Sequence, residues 1–271
     1  MNKKLFTLSI ALCFLSLQTS HAQEKPLWEA GFGAGALSLP DYRGSDEHNL
    51  LLIPVPYIIY RGDRFKIDRG GMRSRLFGSD RAKLEISLNA SIPVDSDDNS
   101  VRRAMPDLDP TFEIGPRLDL LLTEVGDQGE LHLKLPLRAL VTTGLDYEGW
   151  LFHPNLDLYL RNFYEQWNLG IKFGPIFADE KYHNYYYGVE PQFATTSRPA
   201  FDADAGYSGT ALITSLSKRF DKFWIGAFAR YDNLQGVSFE DSPLMENEHS
   251  LMGGVAFAWI FAKSKRMVAV E

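Results

Sequence analysis

The sequence contains one cysteine, Cys13, and that residue lies in a stretch that reads as a removable leader. Disulfide staples and cysteine-ligated metals are therefore excluded from the mature chain. The residue before it is Leu12, not a small one, which argues against a lipid anchor on this cysteine. No apolar run after residue 22 is long enough for a membrane-spanning helix. No segment beyond the leader shows a helical period of useful length, and there is no Pro-, Gly- or Ser-rich linker and no low-complexity tract. Positive charge is scarce too, with 28 Lys and Arg against 35 Asp and Glu, a net charge of −7. Loss of Lys3 and Lys4 with the leader makes it −9, a balance that argues against nucleic-acid binding. A single domain is the simplest organisation.

What is present begins with export. Met1-Asn2-Lys3-Lys4 is a short basic segment, residues 5–17 are apolar, and Ser20-His21-Ala22 offers small residues for cleavage. Residues 1–22 thus read as a secretory signal peptide. The mature chain then alternates. In residues 130–140, ELHLKLPLRAL, Leu131, Leu133, Leu135, Leu137 and Ala139 interleave with His132, Lys134, Pro136 and Arg138. Such alternation makes a strand with one apolar and one polar face.

The same pattern recurs. Lys83 and Glu85 alternate with Leu84 and Ile86; Glu113, Arg117 and Asp119 with Ile114, Pro116 and Leu118. Asp157 and Arg161 alternate with Leu156, Leu158 and Leu160, and Lys172 lies between Ile171 and Phe173. These runs exceed the five or six residues usual in soluble strands and match the nine to eleven of a tilted bilayer crossing. Aromatics gather near their ends (Trp28, Tyr57, Tyr60, Trp150, Phe163, Tyr164, Trp167, Phe177 and Trp224) as in the two girdles of a membrane barrel.

The fold class expected is all-β: a transmembrane antiparallel up-and-down β-barrel over 23–261. Twelve strands are expected near 27–39, 48–60, 64–69, 72–77, 81–94, 110–123, 130–143, 148–161, 165–178, 205–217, 222–233 and 248–261. The alternative is ten, with 64–77 inside or at the rim. Long connections at 41–47, 96–108, 180–203 and 236–247 are assigned to the outer side, and 262–271 to a short periplasmic tail.

A Lys or Arg on the lipid face near mid-bilayer costs roughly 2–4 kcal/mol. Lys83, Glu85, Glu113, Arg117, Asp119, His132, Lys134, Arg138, Asp157, Arg161 and Lys172 are therefore assigned to the lumen. Outer-membrane lipid is the expected surrounding, and the outer membrane of a Gram-negative bacterium the expected location.

Particular segments carry a resemblance. Residues 31–68, with Pro40-Asp41-Tyr42-Arg43-Gly44-Ser45, Pro54-Val55-Pro56-Tyr57 and Tyr60-Arg61-Gly62-Asp63-Arg64-Phe65, resemble the start of the MltA-interacting protein (MipA/OmpV) family of outer-membrane proteins. Ile114-Gly115-Pro116-Arg117, Tyr185-Tyr186-Tyr187-Gly188-Val189, Ala205-Gly206-Tyr207 and Asp241-Ser242-Pro243-Leu244 extend it along the mature chain. The resemblance implies a closed barrel and, as periplasmic partners, murein-remodelling enzymes: a lytic transglycosylase and a murein synthase held by a scaffold. Other members are described as surface antigens or adhesins. It supplies no catalytic motif.

The remaining motifs point away from chemistry. Arg61-Gly62-Asp63 spells an integrin tripeptide but falls in a periplasmic turn of ordinary composition. Gly31, Gly33 and Gly35 lack the full dinucleotide spacing and a following helix, and suit close packing on one strand face. His132, His153, His183 and His249 lack an obvious serine partner for nucleophilic catalysis. No catalytic residue, cofactor or metal is expected. The outer loop with Tyr185, Tyr186 and Tyr187 reads as a lid over the barrel mouth with its tyrosines at headgroup level. The function expected is a non-enzymatic scaffold; the alternative is a narrow channel or a small-solute or surface-binding barrel.

Overall fold

The structure, a computed structural model, describes residues 23–270 apart from 69, 70 and 80. The leader expected at 1–22 lies outside the described residues. The strands are β1 (Gln23–Pro26), β2 (Trp28–Pro40), β3 (His48–Arg61), β4 (Phe65–Asp68), β5 (Gly71–Gly78), β6 (Ala82–Ala90), β7 (Thr111–Val125), β8 (Gly129–Thr142), β9 (Tyr147–Phe152), β10 (Asn155–Tyr164), β11 (Trp167–Ala178), β12 (Gly206–Arg219), β13 (Phe223–Asn233), β14 (His249–Lys263) and β15 (Met267–Val270).

Each wall strand pairs antiparallel with its neighbours, and β14 returns to β2 from Gly253–Ser38 to Lys263–Glu29. That last pairing closes the sheet into a twelve-stranded barrel and removes its edges there. β9 and β10 together fill one strand position, which the sequence pattern had as a single strand over 148–161. The break falls at His153-Pro154, where proline has no N–H to give to a ladder.

Alternation decides the faces. Outward residues of β14 are Leu251, Val255, Phe257, Trp259 and Phe261, all 47–60% exposed, whereas Ala258 and Ile260 between them are buried. The seam with β2 is tight. A Cβ added at Gly33 would strike the carbonyl oxygen of Phe257, and one at Gly31 that of Trp259.

Two aromatics expected in the girdles are inside instead. Tyr57 stands opposite Gly31, and Trp224 opposite Ala258, so both share the inner parity. Their rings pack 5.9 Å apart beside Ala258 and Ile260. Position near a strand end did not set their direction; register did.

The four long loops meet at one end. They contribute Tyr42, Val94, Leu108, Tyr187, Val189, Leu234, Val237, Phe239 and Leu244 to one buried apolar cluster. Over this mouth lies an eight-residue helix, α1 (Glu180–Tyr187), where sequence periodicity showed none. Asp179 caps it: its carboxylate accepts from the Tyr182 N–H at 2.9 Å. The tyrosines are packed into the lid, not set at headgroup level; Tyr187 is 1% exposed and stacks on Phe239 at 3.6 Å.

At the other end Ala262 and Lys263 finish β14, and β15 pairs with β1 in a separate two-stranded sheet. The segment expected as a tail is thus largely ordered strand.

Candidate functional site

The inner wall of β6, β7, β8, β10 and β11 carries an ionic ladder. Arg117 donates to Glu85 at 2.5 Å, and Arg73 on β5 comes within 3.6 Å of the same carboxylate. Arg138 donates to the Ser87 hydroxyl at 3.0 Å and reaches Glu113 at 3.5 Å. Lys134 donates to Asp157 at 2.7 Å and lies 3.8 Å from Asp119. Arg161 donates to Glu130 at 3.0 Å. Lys83 and Lys172 take the register positions opposite Asp119 and Asp157. The structure therefore brings the sequence-assigned charges onto one face, as cross-strand pairs of opposite sign.

Glu130 and Arg73 join this ladder although neither was singled out. Glu130 lies in the same alternation as His132 and Lys134, so the signal was there. Arg73 sits in a short strand with little alternation to read.

The ladder offers no activated nucleophile. His132 has both ring nitrogens on carboxylates, Nδ1 2.6 Å from Asp119 and Nε2 3.1 Å from Glu130. Neither is left to activate a hydroxyl. His249 pairs with the Tyr231 hydroxyl at 2.8 Å, and His183 with the Asp204 carbonyl at 2.6 Å.

A second constellation holds the lid, and it unites three of the segments that carried the resemblance. The Tyr42 hydroxyl donates to the Leu244 carbonyl at 2.8 Å. Tyr187 donates to the Arg43 carbonyl at 2.9 Å, and Ser242 to the Tyr187 carbonyl at 2.7 Å. Arg43 donates to the Ser208 carbonyl and hydroxyl, both at 2.7 Å, and lies 3.7 Å from the fully buried Asp232. Gly44 has φ +91°, a left-handed conformation that favours glycine. Arg102 donates to Ser96, Pro106 and Tyr186 while lying 5.8 Å over the Tyr42 ring. Arginine suits this role because its fork of donors satisfies several loop carbonyls at once. Burial raises the Tyr187 hydroxyl to about 12, so it stays a neutral donor. These hydrogen bonds join residues up to 202 positions apart, so no local sequence pattern announces them.

His183 gives the lid a pH dependence. It is fully buried, its Nδ1–H donates to the Asp204 carbonyl, and its Nε2 has no partner among the described residues. Burial holds its pKa below the ordinary 6.5, only partly offset by that hydrogen bond. Its contribution to the closed lid is thus full above pH 6.5 and falls as the pH drops below that value. Hydrogen exchange of α1 is expected to speed up on acidification below pH 6.5, and His183→Gln to flatten that response. An α1 exchange profile with no more pH dependence than that of the β7–β8 amides would contradict it.

Arg61 of the Arg-Gly-Asp tripeptide is engaged: it donates to the Pro26 carbonyl at 2.7 Å and to Glu29 at 2.9 Å. Arg219 donates to the same carboxylate at 3.0 Å, and Glu29 is 4% exposed. This cluster ties β2, β3 and β12 together at the end opposite the lid.

The chain is similar to several known proteins. Residues 32–261 match the family model described as MltA-interacting protein MipA. Outer membrane protein OmpV of Vibrio cholerae serotype O1 (strain ATCC 39315 / El Tor Inaba N16961) is 26% identical over 211 residues, 74% of this chain and 76% of that protein. Among solved structures, a bacterial polysaccharide outer membrane secretin has a TM-score of 0.44 at 9% identity, covering 86% of this chain and 99% of the other. The COG4313 outer membrane channel from Pseudomonas putida F1 also has a TM-score of 0.44, at 11% identity, covering 89% and 98%.

Proposed function

We propose that this chain, which belongs to the MltA-interacting protein MipA family, acts as a non-enzymatic scaffold in the outer membrane for murein-remodelling enzymes of the periplasm. The outer-membrane barrel is the established part. The scaffold role is our reading, and the family description supports it by naming a murein enzyme as the partner of its name-giving member.

One structural observation carries the reading: the two ends of the barrel differ. The outer end is closed by a packed lid with an apolar core. The other end bears a folded sheet outside the wall, β1 paired with β15. A protein built mainly to pass solutes needs an open mouth; one built to hold periplasmic partners needs an ordered surface on that side. The inner wall adds to this, because Arg117, Lys134, Arg138 and Arg161 are each engaged by a carboxylate of the same wall.

The test is chemical cross-linking in intact cells, followed by solubilisation and identification of what travels with the protein. A lytic transglycosylase is expected, and its recovery is expected to fall when residues 264–271 are deleted. The channel reading predicts instead a steady single-channel conductance in planar bilayers and no enriched murein enzyme. That pair of results would overturn the scaffold.

A further inference from the structure

The wall between β3 and β6 is built unlike the rest. β3 has 14 residues, yet it meets β4 only at Tyr60–Ile67 and Arg61–Lys66, because β4 has four. Its other edge is paired with β2 throughout, from Trp28–Tyr60 to Pro40–His48. From His48 to Pro56 no described strand pairs with the outer side of β3. β4 and β5 together fill two strand positions, so where these strands pair β3 and β6 stand about 14 Å apart.

Prolines sit on this edge in a particular phase. The Arg61 N–H donates to the Leu27 carbonyl on the β2 side. Backbone groups alternate sides along a strand and this pairing runs without a shift, so even-numbered residues of β3 direct their N–H away from β2. Pro54 and Pro56 occupy two of these positions. There a missing N–H costs nothing to the β2–β3 ladder, and it denies two donors to any strand that tried to add. The edge is therefore held open against another strand, whether from a second copy or from a partner.

Exposure agrees. Leu50 and Leu52 are 74% and 82% exposed, against 36–59% for the outward leucines Leu137, Leu156, Leu212, Leu216 and Leu251. The inner face here is apolar: Leu51, Ile53 and Val55 lie beside Gly33, Gly35 and Leu37, with Gly254 and Ala256 next in line. Below the gap, on the lipid-facing side of β2 and β3, an open depression of about 360 Å³ is lined chiefly by Trp28, Ala30, Ile58, Tyr60, Phe65 and Ile67. Unpaired backbone at membrane depth is tolerated only against protein or where it lines a wet cavity. An open edge in this wall therefore means contact with the interior.

We propose that the gap is a lateral portal, through which a single-chain amphiphile of the bilayer lays its acyl chain on the Leu51–Ile53–Val55 strip. The lid closes the axial route from outside, and the ionic ladder starts at the other edge of the gap, with Arg73 on β5 and Glu85 on β6, so that a polar head meets a charged wall across from the strip. The portal rests on the membrane barrel alone and stands or falls apart from the scaffold role.

The mature chain has no cysteine, so single labels are direct. Leu52→Cys, Ile53→Cys and Ser215→Cys, each carrying a bimane, are placed in phosphatidylcholine vesicles in the full-length processed protein, and a terminally brominated medium-chain fatty acid is added. Position 52 faces lipid, 53 the strip, and 215 the inner wall of β12. Quenching is expected at 52 and to a similar depth at 53, with little at 215. Val55→Arg, placed on the strip in the 53-labelled protein, is expected to abolish the signal at 53; in the 52-labelled protein it leaves the signal intact. No quenching at 53 means a sealed wall and overturns the portal. Equal quenching at 53 and 215 means entry by another route and also overturns it, as does a signal at 53 that survives Val55→Arg. Heat-dependent gel mobility of each variant establishes that the barrel has formed.

Discussion

Gly33→Ala is expected to cripple barrel closure, whereas Gly35→Ala two residues along is tolerated. A methyl at position 33 meets the carbonyl oxygen of Phe257, part of the β14 backbone itself. Backbone in a ladder cannot rotate aside as a side chain does. Relief requires β2 and β14 to separate locally, which gives up several ladder hydrogen bonds of about 0.5–1.5 kcal/mol each. In lipid the freed groups find no water, so each costs more. The sum is several kcal/mol, against roughly 5–15 for a whole domain. At Gly35 the nearest atoms are the Val255 carbonyl oxygen and the Val55 Cγ2, both 3.1 Å away, so a shift of a few tenths of an ångström suffices. The measurement is the fraction of protein with folded, heat-sensitive gel mobility after refolding into detergent. Equal folded fractions for the two variants would show that the seam is looser than its geometry states.

That contrast marks how far the sequence carries. Alternation in residues 130–140 predicts β8 and puts its charges on one face, because the bilayer penalises the opposite facing at every second residue; which acid meets which base is set by register and is not in the pattern. Gly31, Gly33 and Gly35 are legible as close packing for the same reason: they hold one parity in one strand. Alternation fails where direction is set by something else. Tyr57 and Trp224 look like girdle residues until register places them inward. His153-Pro154 breaks an apparently continuous strand because one missing donor does not disturb hydrophobic period. β4 has four residues, and no periodic signal in the sequence marks where it ends.

The lid was the least legible part. Its segments are distant in sequence and none is periodic, and its cohesion comes from arginines and tyrosines bonding to loop carbonyls. The family resemblance pointed to Tyr42, Arg43, Tyr187 and Ser242 without saying why they belong together. Geometry supplies the reason: they bond to one another or to the same loops. α1 escaped detection because eight residues, four of them aromatic, offer no amphipathic stripe, and only the Asp179 cap identifies its start.

Glu29→Ala is expected to destabilise the barrel by about 3–5 kcal/mol, the range found when one partner of a buried ion pair is removed. The carboxylate holds Arg61 at 2.9 Å and Arg219 at 3.0 Å, and its side chain is 5% exposed. Without it two guanidinium groups face each other with no anion between them. Arg61 keeps its bond to the Pro26 carbonyl and Arg219 its bond to the Asp221 carbonyl, so both charges are held in place and cannot simply swing away. Glu29→Gln, which keeps the shape and an acceptor but not the charge, is expected to fall between wild type and alanine. The control is Glu148→Ala, whose partner Lys181 has a side chain 52% exposed, 3.6 Å from the carboxylate. An exposed pair of that kind is worth about 0–1 kcal/mol. Unfolding by guanidinium in lipid vesicles, followed by tryptophan fluorescence, reads both, since Trp224 packs 5.9 Å from Tyr57, whose hydroxyl donates to Glu29. Because the carboxylate is buried, moderate salt is expected to leave most of the Glu29→Ala loss in place. A loss no larger than that of Glu148→Ala, or one that disappears in salt, would mean that water reaches this carboxylate and that β2, β3 and β12 are held together at this end by something other than this ion cluster.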